Sequence, residues 1–256
     1  MAKIVLIGAG PGAEDLITIR GLKHLQQADC IFYDALVSPD LLQHANPTAT
    51  RIAVGKRCGK LSTAQQFINK QLIDATQKYK KIVRLKGGDP MVFGRSAEEI
   101  KALELAGHEV EVVPGVTAAL AAASQLKTSL TLRGVARSVT FLTPSVGQNE
   151  AENHLELPYD KQTTLAVYMG FRQCKLWVKQ LIEQGYPANT PLIVCESVST
   201  PEERFTPFLL HQLPHLSNNT VGDGPCLILI GKALKETVHE ILKQPQSIDA
   251  KIKHII

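Results

Sequence analysis

The sequence is short of several things, and each shortage narrows the field. Aromatic residues make up 5% of the chain, with a single tryptophan. No apolar run approaches the ~20 residues that cross a bilayer, so no membrane association is expected. The formal net charge is only +4. That is far from the basic excess of a dedicated nucleic-acid binder, so nucleic acid is not an expected partner. Mild basicity suits an anionic small molecule and a solvated surface equally well. The five cysteines, Cys30, Cys58, Cys174, Cys195 and Cys226, are odd in number and form no CxxC pair. Neither a disulfide framework nor a zinc site is therefore expected, and no metal. Reduced thiols fit a cytoplasmic location, as does an N-terminus that enters Lys3-Ile4-Val5-Leu6-Ile7 with no signal-peptide layout. Low-complexity tracts and short repeats are missing too.

What remains is an ordinary globular composition, 44% hydrophobic and 20% charged over 256 residues. That length holds one large domain or two modest ones. Strand-like and helix-like segments alternate through the first half. Strands are predicted at Lys3–Ile7, Cys30–Tyr33, Ile82–Leu85 and Glu109–Val113. Between the first two, Leu16, Ile19, Leu22 and Leu25 predict one helical face. Ser62 with Gln65, and Ser96 with Glu99, have the spacing of capping boxes. The first opens a helix with Ala64, Ile68, Leu72 and Ala75 on one stripe, and Gly107 is placed to stop the second. This alternation predicts a parallel sheet covered by helices. In such sheets ligands bind beyond the carboxyl ends of strands. Gly8–Gly12, Asp34, Gly87–Asp89 and Pro114-Gly115 each follow a predicted strand, so the fold would gather them on one rim. The second half also reads as α/β. Its expected strands are Ser138–Thr143, Thr163–Met169, Pro191–Glu196 and Pro225–Ile230, with helices at Ala118–Ser124, Lys175–Glu183 and Ala233–Leu242. The expected division is 1–116, 117–243 and a tail, 244–256.

Three glycine-bearing segments could carry chemistry. Gly8-Ala9-Gly10-Pro11-Gly12 resembles a dinucleotide fingerprint, and Asp34 sits where a ribose-binding acid would be expected. Against this, Pro11 removes an N–H that a pyrophosphate would use, and Ala13 replaces the last glycine. A plain tight turn is the other reading. Gly87-Gly88-Asp89-Pro90 exposes backbone groups after a strand, with Arg84, Lys86 and Arg95 around it as positive charge; a βα turn with solvated cations is the alternative. Gly55-Lys56-Arg57-Cys58-Gly59-Lys60 sets three cations beside two glycines, as an anion contact or a solvated loop. In Tyr168-Met169-Gly170 the methionine reads first as core.

Together with Tyr33-Asp34-Ala35-Leu36-Val37-Ser38, Val54-Gly55-Lys56-Arg57, Arg84-Leu85-Lys86-Gly87-Gly88-Asp89-Pro90, Phe93-Gly94-Arg95 and Val112-Val113-Pro114-Gly115-Val116-Thr117, these segments resemble in order and spacing the uroporphyrinogen-III C-methyltransferases. These belong to the tetrapyrrole methylase superfamily. The resemblance runs from about residue 3 to 242 and implies two α/β domains with a ligand cleft between them, usually in a homodimer. It implies that Pro11, Gly87, Gly88, Asp89, Val92, Thr117, Ala118, Met169 and Val198 line a pocket for S-adenosyl-L-methionine, with S-adenosyl-L-homocysteine as product. Asp34 would be the proton acceptor and Lys56 a proton donor or substrate contact. Arg57, Arg95, Arg133 and Arg137 would hold the carboxylates of a tetrapyrrole.

The chemistry implied is two successive C-methylations of uroporphyrinogen III, giving precorrin-2 for siroheme or cobalamin. A sulfonium leaving group needs no acid, so positioning supplies much of the rate. The methylated ring must then shed a proton, which is work for a carboxylate. At this chain length a fused dehydrogenase–chelatase module is not expected, so later steps would fall to another protein. The sequence departs from the family pattern at Thr131-Leu132-Arg133 and Thr143-Pro144-Ser145, each of which lacks an expected histidine, and at Ser96-Ala97, where two glycines are usual. Three other readings stay open: a methyltransferase acting on another precorrin, a binding protein without turnover, and, more distantly, a nicotinamide-dependent oxidoreductase.

Overall fold

The computed structural model describes residues 2–54, 61–144, 157, 159–216, 221–222 and 224–243. The chain divides into two compact units, Met1–Ala118 and Ala119–Ile256.

The first unit is a five-stranded parallel sheet with helices on its faces. Its elements are β1 (Lys3–Gly8), α1 (Ile19–Gln26), β2 (Cys30–Tyr33), α2 (Pro39–Gln43), β3 (Thr50–Ala53), α3 (Leu61–Ala75), β4 (Lys81–Lys86), α4 (Ser96–Leu105) and β5 (Val110–Val113). The strand order is β3-β2-β4-β1-β5, and every pairing is parallel. Strands buried on both faces need apolar residues at every position, and β1 supplies them with Ile4, Val5, Leu6 and Ile7. One face packs Val5, Ile7, Ile31, Val83 and Leu85 with Leu25, Leu41 and Leu42 of α1 and α2. The other packs Ile4, Leu6, Phe32 and Ile82 with Ile68, Leu72 and Leu103 of α3 and α4.

Two helices begin differently from their sequence signals. α1 starts only at Ile19, capped by Thr18 Oγ1, which accepts from Gly21 N at 3.1 Å. Leu16 falls in a separate 3-10 turn, and Ile19 is 75% exposed, so it does not share the buried face of Leu25. In α4 the residue before the helix is Arg95, held in the left-handed region at φ 54. Ser96 is thus already helical, and its hydroxyl donates to the Pro90 carbonyl. Glu99 turns inward. The capping box does not form, because burial next to two cations outbids an exposed helix end. The Ser62 side chain lies outside what the structure describes.

The second unit contains α5 (Ala118–Gln125, its first residue at the division), β6 (Ser138–Leu142), β7 (Thr163–Tyr168), α6 (Cys174–Glu183), β8 (Pro191–Glu196), β9 (Arg204–Leu209), β10 (Cys226–Ile230) and α7 (Lys235–Lys243). Its sheet is mixed, in the order β6-β7-β10-β8-β9. Only β6 and β7 pair in parallel; β10 runs antiparallel to both β7 and β8, and β9 is antiparallel to β8. Trp177 anchors its core, fully buried among Leu165, Val167, Leu181 and Ile228, with Nε1 donating to the Gly170 carbonyl at 2.8 Å. No helix among the described residues is long and apolar enough to cross a membrane.

Three turns of the first unit cross so closely that side chains are excluded. A Cβ on Gly8 would lie 2.5 Å from the Gly115 Cα and 2.7 Å from the Gly88 carbonyl oxygen. Gly88 itself has φ +67. The obstacle is backbone on both sides and cannot rotate away. Gly8→Ala should therefore destabilise the protein by about 3 kcal/mol, the upper part of the usual overpacking range, read as a lowered midpoint in urea unfolding.

Candidate functional site

The crossing turns form one rim at the carboxyl end of the parallel sheet. The loop after β1 is tied to the loop after β4 by a two-bond bridge: Gly88 N donates to the Gly10 carbonyl at 2.7 Å, and Gly10 N to the Gly88 carbonyl at 3.2 Å. Asp89 adds the loop after β5. Its Oδ2 accepts from Gly115 N at 2.9 Å and its Oδ1 from Met91 N at 2.8 Å. The rim thus brings together Gly87, Gly88, Asp89 and Thr117, whose Cα lies 4.0 Å from a Cβ built on Gly88. Pro11 is half-buried one residue beyond the bridge, and Val92 is half-buried in the turn before α4.

Gly87 is the open point of this rim. A Cβ there would meet Leu36 Cβ at 2.9 Å, and neither its amide nor its carbonyl is hydrogen-bonded to any described residue. A bare amide–carbonyl pair on a glycine-walled ledge fits a ligand that offers polar groups to backbone, such as an amino-acid moiety. The ledge does not fit a dinucleotide. Gly10 is spent in the bridge, and α1 begins well beyond Gly12. Only the three-residue 3-10 turn Glu14–Leu16 follows the glycine loop, and no α-helix N-terminus opens there, where a pyrophosphate would need one.

Beneath the rim lies a charge cluster. Strand alternation puts Arg84 and Lys86 on the same face of β4 as Ile82, so both are buried rather than solvated around the turn. Glu99, 0% exposed, answers both: Oε1 accepts from Arg84 Nε at 3.1 Å and Oε2 from Lys86 Nζ at 3.0 Å. Gln65 Nε2 also donates to Glu99 Oε1, at 3.1 Å. The Arg84 guanidinium reaches on to Asp34, with NH2 donating to Oδ1 at 2.5 Å, while NH1 donates to the Leu85 carbonyl at 3.2 Å. Asp34 is part-exposed, with 27% of its side chain accessible, and its Oδ2 accepts no bond from a described residue. Burial above all, then neighbouring Arg84, pushes the Lys86 ammonium below its ordinary pKa; Glu99 and Asp34 pull the other way. Glu99 was hidden in the sequence by its capping-box spacing. The cue to it was a pair of cations alternating with an isoleucine in a strand buried on both faces.

The remaining predicted residues divide by position. Lys56 and Arg57 lie outside the described residues. Arg95 is exposed and forks onto Glu98, with both nitrogens at 2.7 Å, and its guanidinium holds Glu98 below the usual carboxylate range. In the second unit, β7 and β8 both run antiparallel to β10, so Met169 and Val198 leave the same edge of that sheet. Met169 is 56% exposed with φ 54, so it is not core; Val198 is buried between Ser197 and Ser199, with φ 47 and 63. Non-glycine residues held in this region store local strain, a pattern concentrated at functional sites. Ala118 is half-buried in the first turn of α5. Arg133 is exposed in the turn before β6. Arg137 does not join Met169: its N–H is bonded to the Gln162 carbonyl where β6 and β7 begin, a strand length, roughly 20 Å, from where β7 ends.

A family model for tetrapyrrole (corrin/porphyrin) methylases matches residues 3–214. The chain belongs to this family. Among solved structures, it is similar to a uroporphyrin-III C-methyltransferase from Thermus thermophilus complexed with S-adenosyl homocysteine. That match has a TM-score of 0.78 and 30% identity, covering 92% of this chain and 94% of that one. It is likewise similar to a cobalt precorrin-4 methyltransferase, with a TM-score of 0.76, 30% identity, and coverage of 91% and 95%. A siroheme synthase of Zymomonas mobilis is 39% identical over 230 residues, which are 90% of this chain and 48% of that protein. The Escherichia coli siroheme synthase is 40% identical over 235 residues. The chain spans about half the length of the curated relatives it matches. In this methylase fold the Asp89 carboxylate is the bracket of the rim. Asp89→Ala should strand the Gly115 amide and cost about 1–3 kcal/mol, while Asp89→Asn, which keeps one acceptor oxygen, should cost less; thermal melts of both variants check the order.

Proposed function

We propose that the chain is an S-adenosyl-L-methionine-dependent methyltransferase that methylates uroporphyrinogen III twice at ring carbons, giving precorrin-2 for siroheme or cobalamin. The observation that carries this reading is the ledge at Gly87 beside the Arg84-bound carboxylate of Asp34. The likeness to the Thermus thermophilus enzyme supports it. When bound, the donor supplies an electrophilic methyl on a positive sulfonium. Gly87, Gly88, Asp89, Pro11, Val92, Thr117 and Ala118, with Met169 and Val198, are the residues proposed to hold it, largely through backbone and apolar contacts. A pyrrole carbon forms the new C–C bond as the C–S bond breaks and its electron pair stays on sulfur. Asp34 then takes the proton released from the methylated ring, through the carboxylate oxygen that Arg84 leaves unengaged. Lys56, Arg57, Arg95 and Arg133 are proposed contacts for the acceptor's carboxylates.

The same reading includes a homodimer acting in the cytoplasm. A second acceptor, a later precorrin, is favoured by one observation, the comparable likeness to the cobalt precorrin-4 methyltransferase. Incubation with uroporphyrinogen III and S-adenosylmethionine should add two methyl groups by mass spectrometry; no methylation of this acceptor alongside methylation of a precorrin would favour the second reading. Calorimetry should show heat with S-adenosylhomocysteine and none with NAD. Asp34→Asn is nearly isosteric but accepts no proton as a base. It should keep donor affinity and lose about 10²–10⁴-fold in single-turnover rate, the usual worth of general-base help. Light scattering at micromolar concentration should give twice the chain mass.

A further inference from the structure

The buried cluster under the rim does more than balance charge. Glu99 reaches neither the open edge of the sheet nor any proposed ligand position, yet it fixes the guanidinium that holds Asp34. Arg84 is clamped at three corners: Nε on Glu99, NH1 on the Leu85 carbonyl and NH2 on Asp34. Without the first clamp the guanidinium can turn about its long axis toward other acceptors, and its grip on Asp34 Oδ1 loosens. Lys86 holds the second oxygen of Glu99 at 3.0 Å and Gln65 shares the first at 3.1 Å, so the carboxylate itself cannot swing. α4 delivers Glu99 and β4 delivers both cations, so the packing of one helix on the sheet sets the orientation of a carboxylate at the end of β2.

We propose that Glu99 is a positioning residue, which aligns the Asp34 carboxylate for proton removal by fixing Arg84. This rests on the proposed methyl transfer with Asp34 as proton acceptor. The geometry can be read without any acceptor, and the consequence with one.

The test is a double-mutant cycle in single-turnover methylation of uroporphyrinogen III, using Glu99→Gln, Asp34→Asn and both together. Glu99→Gln keeps volume and one acceptor oxygen but removes the charge. It should slow the chemical step at least tenfold and leave the affinity for S-adenosylhomocysteine within about twofold. In the Asp34→Asn background the same change should have no further effect, because its route to the reaction is already cut. A residue that merely supports the fold would slow both backgrounds by the same factor, and that additive result overturns the proposal; so does an unchanged rate in Glu99→Gln. Should Glu99→Gln fail to fold, the pair Lys86→Met with Glu99→Gln, which removes one charge of each sign, takes its place in the cycle, with Lys86→Met alone as the reference state. A crystal structure of the folded variant should show Arg84 withdrawn from Asp34; an Arg84–Asp34 contact identical to that of the unaltered protein overturns the proposal whatever the acceptor. A chain with no altered residue that transfers no methyl defeats the functional reading instead.

Discussion

A guanidinium with 2% of its side chain exposed, in the middle of a parallel sheet, is the constraint from which much of the first unit follows. Its desolvation is costly, and it is tolerable only with its partners well placed. Glu99 and Asp34 are those partners, and Lys86 brings the cluster to two charges of each sign. The four charges come from three elements, so the balance holds only when α4, β4 and the end of β2 are all in register. A helix sliding by one turn on this sheet would leave two cations in an apolar layer. Hydrophobic packing alone tolerates such slips more readily, because one aliphatic contact replaces another.

Above that cluster the architecture works by exclusion. Gly8 and Gly115 pass where no side chain fits, Gly88 turns between them at φ +67, and the Asp89 carboxylate fastens the loop of Gly115. The result is a ledge walled by peptide groups. Its open groups, the amide and carbonyl of Gly87, are polar but carry no formal charge. The acidic group is set to one side, at Asp34.

Much of this was legible in the residues. The four principal strands, the order of the glycine turns and their gathering on one edge followed from alternation and from the rule that ligands sit beyond strand ends. What stayed hidden did so for identifiable reasons. Glu99 has the spacing of a capping residue, and spacing cannot tell a helix end facing water from one facing two buried cations. Arg84 and Lys86 read as positive charge around a turn, with a solvated pair as the alternative, although β4 alternation puts them inside. The edge strands β3 and β9 were missed: Thr50–Ala53 is short, and Arg204–Leu209 contains Pro207, which counts against a strand. Met169 read first as core, and its 56% exposure shows that it is not. The second sheet's antiparallel pairs were invisible because helix-separated strands usually run parallel.

The parallel order of the first unit also bears on how the chain reaches its shape. β1, the first strand of this sheet in chain order, has no partner among its near neighbours in sequence: Ile4 pairs with Ile82 on one side and Val110 on the other. Its most apolar segment must therefore wait until both later strands exist before it can be sheltered. Loop-closure entropy is spent long before the contacts that offset it form, which makes such topologies slow to fold. During synthesis this strand is an exposed sticky segment, and the nascent chain, rather than the finished protein, is where this fold is most open to aggregation and most in need of chaperones.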